Sequence, residues 1–528
     1  MANPRVLGSL ALLTVGCATV PIRPSEVPAP PAAVVTAFPD PPRPAPPPAP
    51  PPPAAVTQDA VLSLLARYPT GGAAMDRALI GAYADGHALF DAAAAAAILA
   101  AVQGLSAHGI EAVGYQESRL AESGVPPDER DVLLTRAVLL LARDLAPRMP
   151  ETALPKLIED VTHEPGKTLA ALAPQDPQYA GLLAAYARYQ GLEWPRLEIP
   201  KKVKLQEGTV NDAVRVLRQR LRAEGWPAGD PQAVGGDLFD GGLMEVLGRW
   251  QESRQIKATG KVDGDTLAAL RISPAALVDS IRLSLDHWRH SRTRLQTTYV
   301  RVNVPAFEAY LYVDGKLDRT HRVVVGAPGA KNHTPLIQAT MRQVVLNPIW
   351  HVPDRIKSEE LDKELEKNPN WYQDHGFKLV QKDGKEIAEQ GPGRGNALGR
   401  VKFLFPNPYD VYMHDTPKRA VFDRTMRAAS HGCVRVHNPV DLLERILELD
   451  DHPRRAEVPS ILQTYQHVRL DLQRPIPVII EYETVSIGTA GEVRFHRDVY
   501  GYDKRRMKAP KKAPRAKAIT ARVGAEPQ

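Results

Sequence analysis

The sequence predicts a multidomain chain: an α-helical scaffold, then a small helical domain, then a mostly β domain. Three observations carry this. From about Thr57 to Trp194 the chain is rich in Ala and Leu, and segments such as DAAAAAAILAAVQGL and RDVLLTRAVLLLARDLA repeat their apolar residues with a helical period. Residues 201–272 alternate amphipathic helices with Gly/Asp turns. From residue 298 the apolar period drops to two, as in TYVRVNVPAFEAYLYVDGKLDRTHRVVVG, which is the pattern of strands.

Taken in order, residues 1–17, MANPRVLGSLALLTVGC, hold one arginine, a short apolar run and small residues before a cysteine. That is a signal peptide, too short to span a membrane as a mature helix. Leu13 to Cys17 resembles a bacterial lipobox, with Thr14 where Leu is commoner, so Cys17 is the expected lipidation site; otherwise cleavage falls elsewhere. The expected location is the periplasm or cell envelope, with the chain lipid-anchored to a membrane. Residues 18–56 form a Pro-rich linker, with sixteen prolines between 21 and 53. Polyproline II at ~3.1 Å per residue gives it a reach of roughly 100 Å, suited to a tether.

Residues 57–200 read as the helical scaffold, divided by breaks such as SGVPPDER and LAPQDPQ, with no catalytic constellation. Within 201–272, Val214, Leu217, Leu221, Phe239, Trp250, Gln251 and the Gly260–Leu270 stretch resemble the three-helix peptidoglycan-binding domain. These are core and turn positions. They identify a fold and leave the contacts to the wall undetermined. A connecting helix is expected in 273–297, and the β domain in 298–503, with a hairpin at Asp314-Gly315.

The chemistry concentrates in His414 to Asn438, HDTPKRAVFDRTMRAASHGCVRVHN. Cys433 is one of two cysteines, and the other lies in the export signal, so an exported chain keeps one unpaired thiol. A thiol becomes a nucleophile when a base or a positive environment makes the thiolate available. His414 is the candidate base, separated by fifteen residues from Ser430-His431-Gly432-Cys433. Gly432 permits a tight turn in which main-chain N–H groups converge on one point and hold an oxyanion. His414, His431, Cys433 and His437 also suggest zinc. There is no second cysteine pair, however, and His-x-Cys spacing suits a tetrahedral site poorly. No metal and no cofactor is expected.

His414, the fifteen intervening residues, Ser-His-Gly-Cys and Val434-Arg435-Val436 together resemble the signature of the L,D-transpeptidase (YkuD-type) catalytic domain, in its larger periplasmic branch. The resemblance implies a β-sandwich-like catalytic domain, Cys433 as nucleophile and His414 as base. It also implies peptidoglycan stem peptides as substrate and carbapenem-type β-lactams as covalent inhibitors. The residue after the histidine orients it in that family; here it is Asp415, acting through its carbonyl or its carboxylate, with the HDTP form pointing to the carbonyl. Arg435 either pairs with a substrate carboxylate or braces the loop. Ser430 and His431 join it as substrate-binding candidates. By the same resemblance NPIWHVP lines the groove, adding Trp350 and His351. Residues 354–397, a charged insertion, correspond to a capping subdomain that would exclude water from a thioester; the plain alternative is a solvated decoration.

The tail, 504–528, carries nine basic residues and one acidic, so the rest of the chain carries −2 against an overall +6. It is expected to be disordered. The body is not basic, and nucleic acid is not an expected partner. The reading is an L,D-transpeptidase forming 3→3 cross-links, with an L,D-carboxypeptidase at the same site or a non-catalytic wall-anchoring lipoprotein as alternatives.

Overall fold

Alternating apolar residues from Tyr299 onward build a sheet that closes on itself. The computed structural model describes residues 55–193, 204–291, 297–382 and 384–508. The signal peptide with Cys17, nearly all of the Pro-rich linker and residues 509–528 of the tail lie outside the described residues. The strands are β1 (Tyr299–Asn303), β2 (Glu308–Val313), β3 (Lys316–Gly326), β4 (Gln338–Leu346), β5 (Trp350–His351), β6 (Phe377–Lys382), β7 (Lys385–Gln390), β8 (Val401–Leu404), β9 (Met413–His414), β10 (Ala428–Ser430), β11 (Val434–Val436), β12 (Val468–Glu481), β13 (Val485–Ile487) and β14 (Val493–Phe495). Nine of them run in the order β10-β3-β11-β9-β8-β4-β12-β1-β2, and β2 also pairs with β3, which closes the sheet.

The β2–β3 hairpin turns on two residues, Asp314 at φ 49° and Gly315 at φ 74°. Both lie in the left-handed region that a two-residue hairpin turn of the I′ type requires. Inward-facing Val300, Val302, Leu311, Val323, Val325, Val344, Phe403, Met413, Val434 and Val436 form one core. The helix Pro439–Leu449 adds to it. Its Leu442, Leu443, Ile446 and Leu447 form one apolar stripe, each at most 1% exposed. Burying each contributes about 1.5–3 kcal/mol relative to exposure. This core fixes β9 and β11, which carry His414 and Arg435, between β8 and β3.

The insertion is a folded subdomain. Short helical turns run from Asp354 to Asp374, and β6 and β7 form a hairpin that adds β5 as a third strand. Val352, Leu361, Tyr372, Phe377 and Ala388, with Trp350 and Trp371 packed against them, give it a core of its own. The hairpin is unexpected from sequence. Its strands are dominated by Lys, Glu and Gln, so the apolar alternation that announces a strand is weak.

The helical part has three packing centres. The helix Pro127–Leu145 begins with Pro at its first position and Asp128 and Glu129 in its first turn, where the positive end of the helix dipole favours them. It is buried along nearly its whole length at the middle of the scaffold core. The helices Asp212–Ala223, Gly241–Ser253 and Gly264–Leu270 enclose the second core, around Val214, Leu217, Leu221, Phe239, Leu247 and Trp250. The third departs from the sequence division at residue 200. The helix Pro177–Gln190 packs through Tyr179, Leu182, Ala185, Tyr186 and Tyr189 on the helix Pro274–His290 and on the β13–β14 hairpin. Gln178 exchanges hydrogen bonds with both backbone groups of Ile487, at 2.7 and 2.8 Å. A further difference lies at the C-terminus, where Tyr502–Lys508 is helical, so the first five residues assigned to the tail continue the domain.

Candidate active site

β9 and β11 are short parallel neighbours, and their register sets His414 beside Arg435. β8 flanks β9 on the other side, with Lys402 opposite His414. Three side chains therefore form a row across three strands, with the imidazole between two cations. Cys433 leads into β11 from the loop 431–433, one residue before Val434, whose N–H donates to the Tyr412 carbonyl at 3.1 Å.

The loop holding the thiol is pinned from inside. The Ser430 hydroxyl donates to the Cys433 carbonyl at 2.6 Å and accepts from the Gly432 N–H at 3.2 Å. Thr334 donates its hydroxyl to the Gly432 carbonyl and accepts from the Gly326 N–H, both at 2.8 Å. The Tyr500 phenol in turn donates to the Gly326 carbonyl at 2.9 Å and accepts from the Thr334 N–H at 3.0 Å. Ser430 thus spends its hydroxyl within the loop, and the Gly432 N–H is engaged there too.

His414 Nδ1 lies 2.5 Å from the carbonyl oxygen of Asp415. A carbonyl only accepts, so Nδ1 carries the proton and Nε2 keeps its lone pair, the tautomer a base needs. The Asp415 carboxylate is occupied elsewhere. It accepts from the N–H groups of Arg400 at 2.8 Å and Thr416 at 2.7 Å, and pairs with Arg419 at 2.7 Å. Gly399, at φ 61°, lets the chain pass close by, since a Cβ there would overlap that carboxylate.

The electrostatics describe a neutral pair at rest. Burial, then the Arg435 and Lys402 cations, push the imidazolium of His414 down to about 3. Burial pushes the Cys433 thiol up, opposed by hydrogen bonding to Tyr412 and by the Lys402 and Arg435 charges. Burial also pulls Arg435 down. Its Nε, buried, has no hydrogen-bond partner among the described residues.

Tyr412, His414, Cys433 and Arg435 line a cleft of about 1750 Å³ that is walled by both the sheet and the insertion. His431 Nε2 meets Glu360 of the insertion at 2.6 Å, and Arg355 donates to Asn332 at 2.9 Å, so the insertion rests directly on the loop that carries Cys433. Trp350 lines the cleft, edge-on to Phe377 at 6.0 Å. His351 does not. Successive strand residues point to opposite faces, and His351 faces away, exposed and 3.3 Å from Glu389. His437 packs edge-on against Phe422 and receives Arg322 at 3.3 Å.

Two neighbours of the thiol escape the sequence reading, Tyr412 and Lys402. Tyr412 precedes His414 by two residues, just ahead of β9, and Lys402 is the one charge in the apolar run Val401–Phe405. Those were the available signals.

A cysteine beside a neutral, carbonyl-oriented histidine, set in a closed β domain, is an arrangement that suits thiol–imidazole covalent chemistry. Family comparison gives the particular one. Residues 297–470 match the L,D-transpeptidase catalytic domain of the YkuD family, and residues 210–270 match the "Putative peptidoglycan binding domain". The chain carries an L,D-transpeptidase catalytic domain joined to a peptidoglycan-binding domain. A protein of Haemophilus influenzae named "Putative L,D-transpeptidase" is 31% identical over 219 residues, which cover 38% of this chain and 44% of that protein. The chain thus spans less than half the length of that relative. An L,D-transpeptidase of Mycobacterium smegmatis has 14% identity and a TM-score of 0.19, covering 35% of this chain and 58% of that one. L,D-transpeptidase 3 of Mycobacterium tuberculosis, solved with a faropenem-derived adduct, has 13% identity and a TM-score of 0.19, with 35% and 60% covered. At such scores the structural likeness carries no argument.

Proposed function

We propose that this protein is an L,D-transpeptidase that forms 3→3 peptidoglycan cross-links through a thioester on Cys433. The carrying observation is the Cys433 loop beside His414, whose Nδ1 is tied to the Asp415 carbonyl so that Nε2 is free to accept a proton. In the proposed first step the Cys433 proton passes to His414 Nε2 as Sγ attacks the carbonyl of the third residue of a tetrapeptide stem. The developing oxyanion needs main-chain donors. The Gly432 N–H is held by Ser430, so the Cys433 N–H is the donor of choice. His414 then protonates the departing D-alanine amine, leaving a thioester. An amine of a neighbouring stem attacks that thioester, gives its proton to His414, and the proton returns to Sγ as the amide forms. Arg435, with its unpartnered Nε, suits a carboxylate of the stem. The insertion over the cleft favours an amine over water in the second step. A carbapenem is expected to acylate the same sulfur. The proposed location is the cell envelope, with Cys17 lipid-anchored; a processed N-terminus without lipid would refute the anchor.

The test is mass spectrometry of products from purified disaccharide-tetrapeptide with the full chain and with Cys433→Ala. Dimers formed with loss of D-alanine, absent in the variant, are expected. Tripeptide monomers alone would instead make the protein an L,D-carboxypeptidase, and no turnover by either protein would contradict catalysis on this donor.

A further inference from the structure

Lys402 lies outside the cleft lining, behind the residues that face the thiol. Its ammonium sits 3.8 Å from the centroid of the Tyr412 ring, a cation–π distance. That ring stands edge-on to the His414 imidazole at 5.5 Å. The Tyr412 phenol in turn acts on the Cys433 thiol as a hydrogen-bonding neighbour that favours its ionised form. Lys402 is also the cross-strand partner of His414, on the side away from Arg435. One lysine thus touches the tyrosine that touches the nucleophile, and flanks the base.

A cation is costly to hold in such a place. Lys402 is half-buried on β8 between the core residues Val401 and Phe403. Among the described residues no carboxylate is bonded to it; the charge influences on it are Cys433 and Asp410, which favour the cation, and Arg469, which opposes it. A sheet position needing only stability is better filled by an apolar or β-branched residue. What repays the cation is a negative charge that exists only part of the time, and the thiolate is the group in reach that becomes negative.

We propose that Lys402 is the positioning cation of this site: by clamping the Tyr412 ring it holds the phenol against Cys433 Sγ, and its charge stabilises the thiolate formed when the proton moves to His414 Nε2. The inference rests on Cys433 as nucleophile. The charged and titratable groups that act on the thiol are Lys402 on β8, Tyr412 just before β9 and Arg435 on β11; His414 on β9 stands between the two cations, and Glu360 of the insertion acts on Arg435. Lys402 and Arg435 are the two cations, so removing Lys402 removes one of the two positive charges that offset burial of the sulfur. Lys402 acts through Tyr412 and through space, with no contact to substrate implied.

The experiment is the pH profile of iodoacetamide alkylation at Cys433, read by peptide mass spectrometry on the full chain, for the native protein, Lys402→Met, Lys402→Arg and Tyr412→Phe. A nearby opposite charge, acting over roughly 4–6 Å, shifts an ionisation by about one to three units. Lys402→Met is therefore expected to move the midpoint upward by about one unit and to slow alkylation at pH 8 about tenfold. Lys402→Arg keeps the charge and is expected to stay within about twofold of native, a rescue that a purely packing role would not give. Tyr412→Phe, which keeps the ring and loses the hydroxyl, is expected to shift the midpoint the same way. An unchanged midpoint in a folded Lys402→Met overturns the proposal. If that variant does not fold, an unchanged midpoint in Tyr412→Phe overturns it instead. Alkylation requires no peptidoglycan, so a shifted profile with no transfer products counts against the proposed function and leaves this inference standing.

Discussion

Replacing His414 with Gln is expected to slow acylation of Cys433 by a tetrapeptide stem about 10²–10⁴-fold, the usual contribution of a positioned general base. That corresponds to about 3–5.5 kcal/mol of barrier. The size follows from the neutral resting pair. The thiol is pushed up by burial, so little thiolate exists at pH 7 without a partner to take the proton. In the proposed mechanism His414 takes it through Nε2, with the ring held in place by the Nδ1 contact with the Asp415 carbonyl. The pH dependence has a definite sign. With its ionisation near 3, His414 is neutral throughout pH 5–8, so the native rate is expected to show no acidic limb from this histidine there. The rate is expected to climb on the alkaline side as the thiol ionises. A stopped-flow pH profile of carbapenem acylation measures both. An acidic limb centred near 6.5 that vanishes in His414→Gln would show that the imidazole rests charged, against this account.

The second large effect concerns stability. Glu224 is buried between Arg220 and Arg254, with side-chain exposures of 0%, 2% and 4%, and pairs with both. Trp250 Nε1 and the Tyr189 phenol also donate to it, each at 3.3 Å. Arg254 lies 4.1 Å from the Phe495 ring centroid in the catalytic domain, so this carboxylate joins the peptidoglycan-binding domain to the helix Pro177–Gln190 and to β14. Burial pulls Arg220 down to about 10, a sign of how poorly the site tolerates its charge. Glu224→Ala strands two buried guanidinium groups and is expected to cost about 3–5 kcal/mol, the range for breaking a buried ion pair. Urea unfolding followed by Trp fluorescence checks it, comparing midpoints because so large a chain need not unfold in one step. A loss under about 1 kcal/mol would mean that water or relaxation already compensates the cluster, as at a surface pair.

Local features were legible in the sequence because local rules dictate them. Asp314-Gly315 announces its hairpin through the positive φ that both residues accept, and the spacing from His414 to Cys433 marks the reactive loop. What escaped depends on pairing between distant segments. Lys402, His414 and Arg435 share a row only through the registers of β8 on β9 and β9 on β11. The helix Pro177–Gln190 reads as scaffold by composition, yet its Tyr and Leu stripe finds its partner some three hundred residues later, in the β13–β14 hairpin. Trp350 and His351 look alike in sequence as groove residues. Strand alternation sends one to the cleft and the other to Glu389.

The most direct test of the central claim is the intact mass of the full chain, quenched within milliseconds of mixing with disaccharide-tetrapeptide and followed by peptide mapping. The expected result is a transient mass increase equal to disaccharide-tetrapeptide minus D-alanine, on the peptide containing Cys433 and absent in Cys433→Ala. Cross-linked product accumulating with no adduct at Cys433, or an adduct on another residue, would contradict it.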